Sequence, residues 1–283
     1  DASTNETRGQ TLSAYLIVQM IGIVLAQAVL NFADPSGYTL FIVISVVVSL
    51  SFAPILLAVS PAPKFNTSKR MTMRELWHAS PLGVVGQFFL GAVFAAQFGM
   101  ASVYGTERGL SVADISVFVA SIYLGGLVLQ YPIGWLSDRM DRRKLIIGVC
   151  GVGLVFSLSI SLSDSFTWLL IVAFVIGAYT NDFLDAEDMA SASGGMIFLS
   201  GFGALFGPTV VGMLLGKFGS DSFFWFLGAN MAVIGIYALY RMTQRASKSI
   251  EDQNAYAPIS PNSTPVAMEL AQEYAIDMAL EEE

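Results

Sequence analysis

The sequence has few of the residues that carry metal or covalent chemistry. Its 283 residues include one cysteine, Cys150, and one histidine, His78. One cysteine cannot form an internal disulfide, and one of each cannot build a cysteine–histidine metal cluster. No acidic residue lies deep in any of the apolar runs, so a catalytic pair is lacking as well. We therefore expect no metal site, no cofactor and no enzyme activity.

Charged residues are also scarce. They make up 13% of the sequence, against 54% hydrophobic residues, and the mean hydropathy is +0.64. A soluble domain usually carries about twice this charged fraction. Because the apolar residues also come in long blocks, the composition predicts an all-α protein that crosses a bilayer several times.

The net charge of −8 arises in one segment. Residues 249–283 hold eight acids and no Lys or Arg, while the rest of the chain balances 14 acids against 14 bases. A nucleic-acid partner therefore has no support. Within this tail, the spacing of Leu270, Tyr274 and Met278 fits a short amphipathic helix, and the composition fits disorder equally well. No phosphate-binding G-x-x-x-x-G-K-[ST] motif occurs, so the chain encodes no ATP-driven transport.

Eight apolar runs are predicted to be spanning helices, and most are close to the ~20 residues that a crossing needs. They cover residues 11–31, 38–60, 82–104, 112–133, 145–162, 166–183, 194–215 and 223–240. The sixth is short, because only 15 residues precede Asn181 and Asp182. At about 1.5 Å per residue it would reach roughly 22 Å into a core of about 30 Å. Local thinning of the bilayer, re-entry or a deletion would each explain it.

The basic residues predict the orientation. If all eight runs span and the first residue is cytoplasmic, 12 of the 14 Lys and Arg residues face the cytoplasm. Only Arg108 and Lys217 are then outside. If the short run does not span, the split falls to 10 against 4. The eight-span arrangement, with both chain ends cytoplasmic, is the better prediction.

A charged stretch, "GWLSDRMDRRKLI" at residues 134–146, separates the fourth and fifth runs. A positive-inside anchor would explain its charges but not the order of its residues. The order resembles the signature loop of the major facilitator superfamily (MFS), G-x-L-[AS]-D-R-x-G-R-[RK]. The matching positions are Gly134, Leu136, Ser137, Asp138, Arg139, Arg142 and Arg143. Asp141 departs from the pattern, because many members have glycine there.

This resemblance implies a bundle of twelve helices, with the loop after the second and again after the eighth. Four runs precede it here and four follow, so we identify them as the fifth to twelfth helices and expect four more upstream. Residues 1–60 are then the last two helices of the N-terminal bundle, and 61–81 the cytoplasmic linker. Residues 82–240 form the C-terminal bundle of six helices, and 241–283 the acidic cytoplasmic tail.

Three stretches resemble the bacterial YcaD-like branch of the superfamily more closely. They are "TNETRGQTLSAY", "QYPIGWLSDRMDRRKLI" and "TNDFLDAEDMASASGGM". The tenth helix is longer in that branch, so we interpret the short run as a deletion just before Tyr179.

Polar side chains inside the runs are candidates for substrate contact, because a polar group within a membrane needs a partner or water. They are Gln27, Gln97, Tyr104, Tyr123 and Gln130. Hydrogen bonding between helices explains them equally well. In the superfamily the seventh helix lines the central cavity, which puts Gln97 and Tyr104 first. In the eleventh helix, Gly203, Gly207 and Pro208 indicate close packing or a hinge, and packing is the simpler reading.

The resemblance implies a secondary active or facilitative transporter of a small solute that works by alternating access in a bacterial inner (plasma) membrane. Its partners would be a small-molecule substrate and the lipid bilayer. Use of a proton or another coupling ion stays open, as do the substrate and the direction. A non-transporting receptor or scaffold on the same fold and an inactive fragment are the alternatives.

Overall fold

The computed structural model describes residues 5–34, 36–57, 72–79, 81–137, 139–178 and 186–244. Within them, every regular element is a helix, which confirms the predicted all-α membrane fold. The α-helices are α1 (Asn5–Val29), α2 (Thr39–Leu57), α3 (Met73–Ala79), α4 (Pro81–Glu107), α5 (Val112–Ser137), α6 (Arg142–Ser159), α7 (Phe166–Gly177), α8 (Ala186–Phe218) and α9 (Ser222–Gln244). A 3₁₀ turn, Ile160–Leu162, extends α6.

Each of the eight predicted runs contains a helix. Five stretches in the described residues are long and apolar enough to cross a membrane, and they belong to α4, α5, α6, α8 and α9. The apolar parts of α1, α2 and α7 are shorter, at Ile17–Val29, Thr39–Pro54 and Phe166–Gly177. The additional helix, α3, lies in the predicted linker, where Thr72 and Glu75 form a capping box through hydrogen bonds of 2.8 and 3.3 Å.

Glycines bring the helices α4 to α9 together in three close pairs. In the pair α4 and α8, a methyl group on Gly203 would overlap the carbonyl oxygen of Phe88, and one on Gly207 would overlap that of Ala92. Because glycine has no side chain, it lets two helix backbones approach more closely than any other residue does.

The other two pairs also meet at glycines, which contact a backbone in one pair and a side chain in the other. In α5 and α7, Gly125 lies against the backbone of Phe174, and Gly177 lies against the backbone of Ile122. In α6 and α9, a Cβ atom on Gly235 would lie 3.2 Å from the Cβ atom of Cys150, which is buried. Cys150 therefore packs between α6 and α9.

The first two helices differ in how much they pack. Helix α1 packs on α5, and Asn31 Nδ2 donates a hydrogen bond of 2.9 Å to Ser116 Oγ just beyond the end of α1. Helix α2 has almost no such support, since every side chain described between residues 41 and 54 is exposed.

One end of the bundle is defined by contacts between loops, and we call it the Arg108 end. Arg108, between α4 and α5, contacts Asp164 between α6 and α7 and Asp221 between α8 and α9. The opposite end, called the Arg139 end, contains α3, the start of α4 and the turn between α5 and α6. There Leu76 of α3 meets Gly195, near the beginning of α8.

The residues described on either side of α7 lie at opposite ends of the bundle. Asp164 lies at the Arg108 end, and Gly195 lies at the Arg139 end. Helix α7 covers only part of the distance between these two ends. Its 12 residues rise about 18 Å, and its last residue, Gly177, meets Ile122 near the middle of α5.

Candidate functional site

An unpaired amide lies near the middle of α4. Gln97 is only 2% exposed, and neither its Nε2 nor its Oε1 atom has a hydrogen-bond partner within the described residues. An unsatisfied buried polar group costs about 1–3 kcal/mol. Such a cost is tolerated where a solute, water or further protein satisfies the amide.

Tyr123 lies at a similar depth on α5. The ring of Phe98, the neighbour of Gln97, packs edge-on against Tyr123 with the ring centres 4.7 Å apart. Tyr123 is 9% exposed. Gln97 and Tyr123 therefore lie at a similar depth on α4 and α5, and the ring contact between the two helices at that depth is made by Phe98.

Tyr104 lies elsewhere, at the Arg108 end. Its ring is fully buried and packs on Phe118, Phe223 and Phe224 at centre distances of 5.1–5.3 Å. Its hydroxyl oxygen accepts a hydrogen bond of 3.1 Å from Arg108 Nη1. Gln97 and Tyr104 share the buried face of α4, but the Tyr104 hydroxyl already has a partner in this structure.

The last two candidates, Gln27 and Gln130, are half-buried and lie apart from the central pair. Gln27 is close to the Arg108 end of α1, and Gln130 is in the part of α5 nearer the Arg139 end. The structure thus places Gln97 and Tyr123 at a similar depth and leaves the other three at different depths.

Arg108 forms a network that the sequence analysis considered only as an orientation signal. Its Nη1 donates to Asp221 Oδ1 at 3.0 Å, and its Nη2 donates to Asp164 Oδ1 at 2.9 Å. The Arg108 side chain is 13% exposed, whereas those of Asp221 and Asp164 are 31% and 106% exposed. One guanidinium therefore joins three loops, most firmly through Asp221.

A sequence signal for this network exists. Arg108 follows a predicted span on the side of the membrane that has few basic residues. Asp164 and Asp221 each stand two residues before a later predicted span on that same side. Their pairing was missed because predicted topology assigns a side but not the lateral neighbours of a loop.

The signature loop lies at the Arg139 end. Gly134 and Ser137 are buried in the last turn of α5, and Leu136 is 38% exposed. Asp138 and the side chain of Arg142 lie outside the described part of the chain. Arg139 donates a hydrogen bond of 3.1 Å to the carbonyl oxygen of Trp135 and stacks over the Trp135 ring at 4.1 Å.

Asp141, the residue that departs from the signature, caps α6. Its Oδ1 atom accepts a hydrogen bond of 2.9 Å from the backbone N–H of Arg143. Its φ and ψ angles are −56° and 116°, which any residue adopts. The turn therefore needs no glycine at this position, and the aspartate contributes a helix cap in its place.

The predicted hinge residues lie where α8 crosses α4. Gly203 and Gly207 are buried against the α4 backbone, and Pro208 lies inside α8, which continues past it to Phe218. These contacts show that the two glycines pack α8 against α4. A hinge at Pro208 stays a prediction. In the residues that the structure describes, no group of three His, Cys, Asp or Glu could hold a metal ion.

Comparison with known proteins places the sequence in a family. Residues 1–181 match the Major Facilitator Superfamily. The chain is similar to uncharacterized MFS-type transporters of Yersinia pestis (21% identity, covering 91% of this chain and 68% of the relative) and Yersinia enterocolitica (24%, 85% and 65%). It is also similar to the uncharacterized MFS-type transporter YcaD of Escherichia fergusonii (23%, 88% and 68%).

The predicted resemblance to the superfamily and its YcaD-like branch is thus confirmed. The chain spans about two thirds of the length of these curated relatives. No solved structure matches it.

Proposed function

This chain belongs to the Major Facilitator Superfamily, and we propose that it takes part in moving a small solute across a bacterial inner membrane by alternating access. Two bundles would rock around a central site, without covalent chemistry. The buried, unpaired amide of Gln97, near the middle of α4, is the observation that carries the proposal.

The chemistry of this region favours an uncharged polar solute. An amide offers two donors and one acceptor, which suits hydroxyl, carbonyl or amide groups. Within the described parts of α4 to α9, charged side chains occur only near the helix ends. A buried ion would have no counter-charge there, whereas a neutral solute would satisfy the amide of Gln97.

Solute binding tests this site. We would measure the melting temperature of the purified chain with uncharged polyols, amides and nucleosides, and with carboxylates and amines as charged comparators. A stabilising solute should bind about tenfold more weakly to Gln97→Leu, the loss expected for about one net hydrogen bond. Gln87→Leu is the matched control, because Gln87 is also buried in α4 with its Oε1 unpaired.

Equal binding by the two variants would show that Gln97 does not contact the solute. Flux of the same solute into liposomes then separates the functions. Uptake supports a transporter, and stabilisation without uptake favours a receptor on the same fold. Because the curated relatives are longer than this chain, the flux assay should also be run with the whole protein that the gene encodes.

For orientation, we propose that the Arg139 end faces the cytoplasm. The predicted excess of basic residues supports this. Helix α9 runs from the Arg108 end to the Arg139 end, so the acidic tail would follow on the cytoplasmic side. In a Cys150→Ala background, a membrane-impermeant thiol reagent should label Glu107→Cys and not Arg143→Cys in intact cells. The reverse pattern would overturn the orientation.

The signature loop is proposed to act as a gate through Asp138. Helix α1 runs opposite to α5, so its N-terminus points toward the Arg139 end, and that terminus carries partial positive charge. A carboxylate there would contribute about 0.3–2 kcal/mol to the state closed on the cytoplasmic side. Asp138→Asn should therefore shift the population toward the inward-open state, about tenfold for a change of 1.4 kcal/mol.

Spin labels at Ala14 and Tyr131, two exposed positions on α1 and α5, would report this shift. The expected result is a longer distance in Asp138→Asn, with slower flux and an unchanged melting temperature. Unchanged distances and flux would mean that the loop is only a positive-inside anchor.

A further inference from the structure

A groove lies beside the end of α7 in the described part of the bundle. Beyond Gly177, the part of α5 nearer the Arg139 end and the first half of α6 enclose a cavity of about 350 Å³. Only the last turn of α7 reaches it, through Val175 and Ala178. The groove thus lies between α5 and α6 on the side where α7 ends.

Its lining is apolar except at one end. Leu129, Ile133 and Leu136 of α5 form one wall, and Leu145, Val149 and Val152 of α6 form the other. Lys144 is the charged residue among the lining side chains, and it is exposed at the first turn of α6. Several wall residues are open to the surroundings, with Val152 50% exposed.

We propose that this groove binds one acyl chain of an anionic phospholipid, with the phosphate at Lys144. The walls belong to membrane-spanning helices, so the apolar medium beside them is lipid. A lysine at the mouth of such a groove matches the negative head group, as basic pockets beside membrane helices do elsewhere. Arg139 and Arg143 lie near the same turn and add positive charge.

Asp141 places a carboxylate three residues before Lys144. Asp141 accepts a hydrogen bond from the N–H of Arg143, so it is directed into the first turn of α6. Asp138 lies outside the described residues.

Another occupant is the chain itself, at residues 179–185. This segment continues from Ala178 and contains Asn181, Asp182 and Asp185. Three such polar residues within seven would have to enter a groove that is apolar along its length, at a cost for each unpaired group. A lipid chain carries no such groups, which favours the lipid. The inference rests on the membrane-spanning helices and not on transport.

The test uses two glycines of α6. A Cβ atom added at Gly148 or at Gly151 would meet nothing within 4 Å. Gly148 lines the groove and Gly151 does not, so Gly148→Leu should fill the groove and Gly151→Leu should leave it open. The probe is phosphatidylglycerol with a photoreactive diazirine in one acyl chain, used in phosphatidylcholine nanodiscs. Adducts are located by peptide mass spectrometry.

We expect adducts at residues 129–136 and 145–153 in the unmodified chain. In Gly148→Leu their yield should fall at least fivefold, while Gly151→Leu should match the unmodified protein. Both variants should keep its melting temperature. Equal yields in the two leucine variants would overturn the acyl-chain site.

The head-group assignment has its own test. Lys144→Gln should lower the preference for phosphatidylglycerol over an identically labelled phosphatidylcholine about fivefold, which corresponds to about 1 kcal/mol for one basic residue near the surface. Lys217→Gln, at the opposite end of the bundle, should leave it unchanged. No effect of Lys144→Gln would overturn the head-group contact.

A disulfide test addresses the rival occupant. With Cys150 replaced by alanine, the pair Val149→Cys and Phe183→Cys should not cross-link if lipid fills the groove. Efficient cross-linking would show that the chain's own segment fills it, and would overturn the proposal.

Discussion

The two ends of the bundle use their charged residues in different ways. At the Arg108 end, one mostly buried guanidinium binds two carboxylates from other loops. At the Arg139 end, the described contacts are local. Arg139 binds the carbonyl and ring of Trp135 within its own turn, and Asp141 caps the helix that it precedes.

This difference separates a charge cluster that holds helices together from one that shapes a single loop. The Arg108 contacts span 56 and 113 residues of sequence, so they restrain α5, α7 and α9 relative to one another. Arg139 lies on the surface, and its contacts restrain only the end of α5. The surface position of Arg139 leaves its guanidinium accessible to a partner surface, as the proposed gate requires.

The largest expected effect is that of Arg108→Met. The change removes three hydrogen bonds of the guanidinium and leaves the buried Tyr104 hydroxyl without its donor. We expect a loss of about 2–3 kcal/mol in the free energy of unfolding, since bonds to charged groups are each worth about 1.5–3 kcal/mol and Asp164 is fully exposed. Unfolding of the purified protein in mixed micelles would measure it.

The matched control is Arg139→Met, at the other end. It loses one bond to a carbonyl and one cation–π contact at an exposed site, so the loss should stay below about 1 kcal/mol. Equal losses for the two variants would contradict the contrast between the ends.

A smaller effect is expected from the carboxylates of the Arg108 network. Asp221→Asn keeps the shape of the side chain but loses the charge at a site that is 31% exposed, so we expect a loss of about 1–2 kcal/mol. Asp164→Asn should cause no measurable loss, because its side chain is fully exposed to solvent. The same unfolding assay at low and high salt would compare them. A larger effect for Asp164 would mean that the network is centred on α6 and α7 rather than on α9.

Much of the fold could be predicted from the sequence, because helix positions in a membrane depend on local composition. The runs at residues 82–104 and 223–240 reappear within α4 and α9. The ends of the short run were harder to predict. Residues 166–183 were predicted as one span; α7 covers Phe166–Gly177 of it, and residues 179–183 lie outside the described part of the chain. Length alone could not show that this end meets the middle of α5, because that depends on the packing of Gly177 against Ile122.

The candidate site was predictable only in part. Polar residues within spans were found, since they stand out against an apolar background. Their surroundings were not, because the seven-residue spacing of Gln97 and Tyr104 shows a shared face and not what covers it. In the structure Tyr104 is packed among phenylalanines and bonded to Arg108, while Gln97 has no partner in the described residues.

The smallest expected effect concerns Asp141, and it sharpens the contrast at the Arg139 end. Asp141→Ala removes the side-chain acceptor for the N–H of Arg143 and should cost about 1 kcal/mol, the usual loss for a helix N-cap. Asp141→Gly should cost only a few tenths of a kcal/mol, and Asp141→Asn should cost least, because asparagine caps equally well. This order also explains how glycine serves other members of the superfamily at the same position. Because the cap acts within one turn, the effect should be local. Hydrogen exchange should accelerate at the amides of Arg143 and Lys144 in Asp141→Ala, with no change at the Arg108 end. If alanine and asparagine gave the same exchange rates, Asp141 would not act as a cap. If the amides around Arg108 also changed, the two ends would be coupled and the contrast between them would fail.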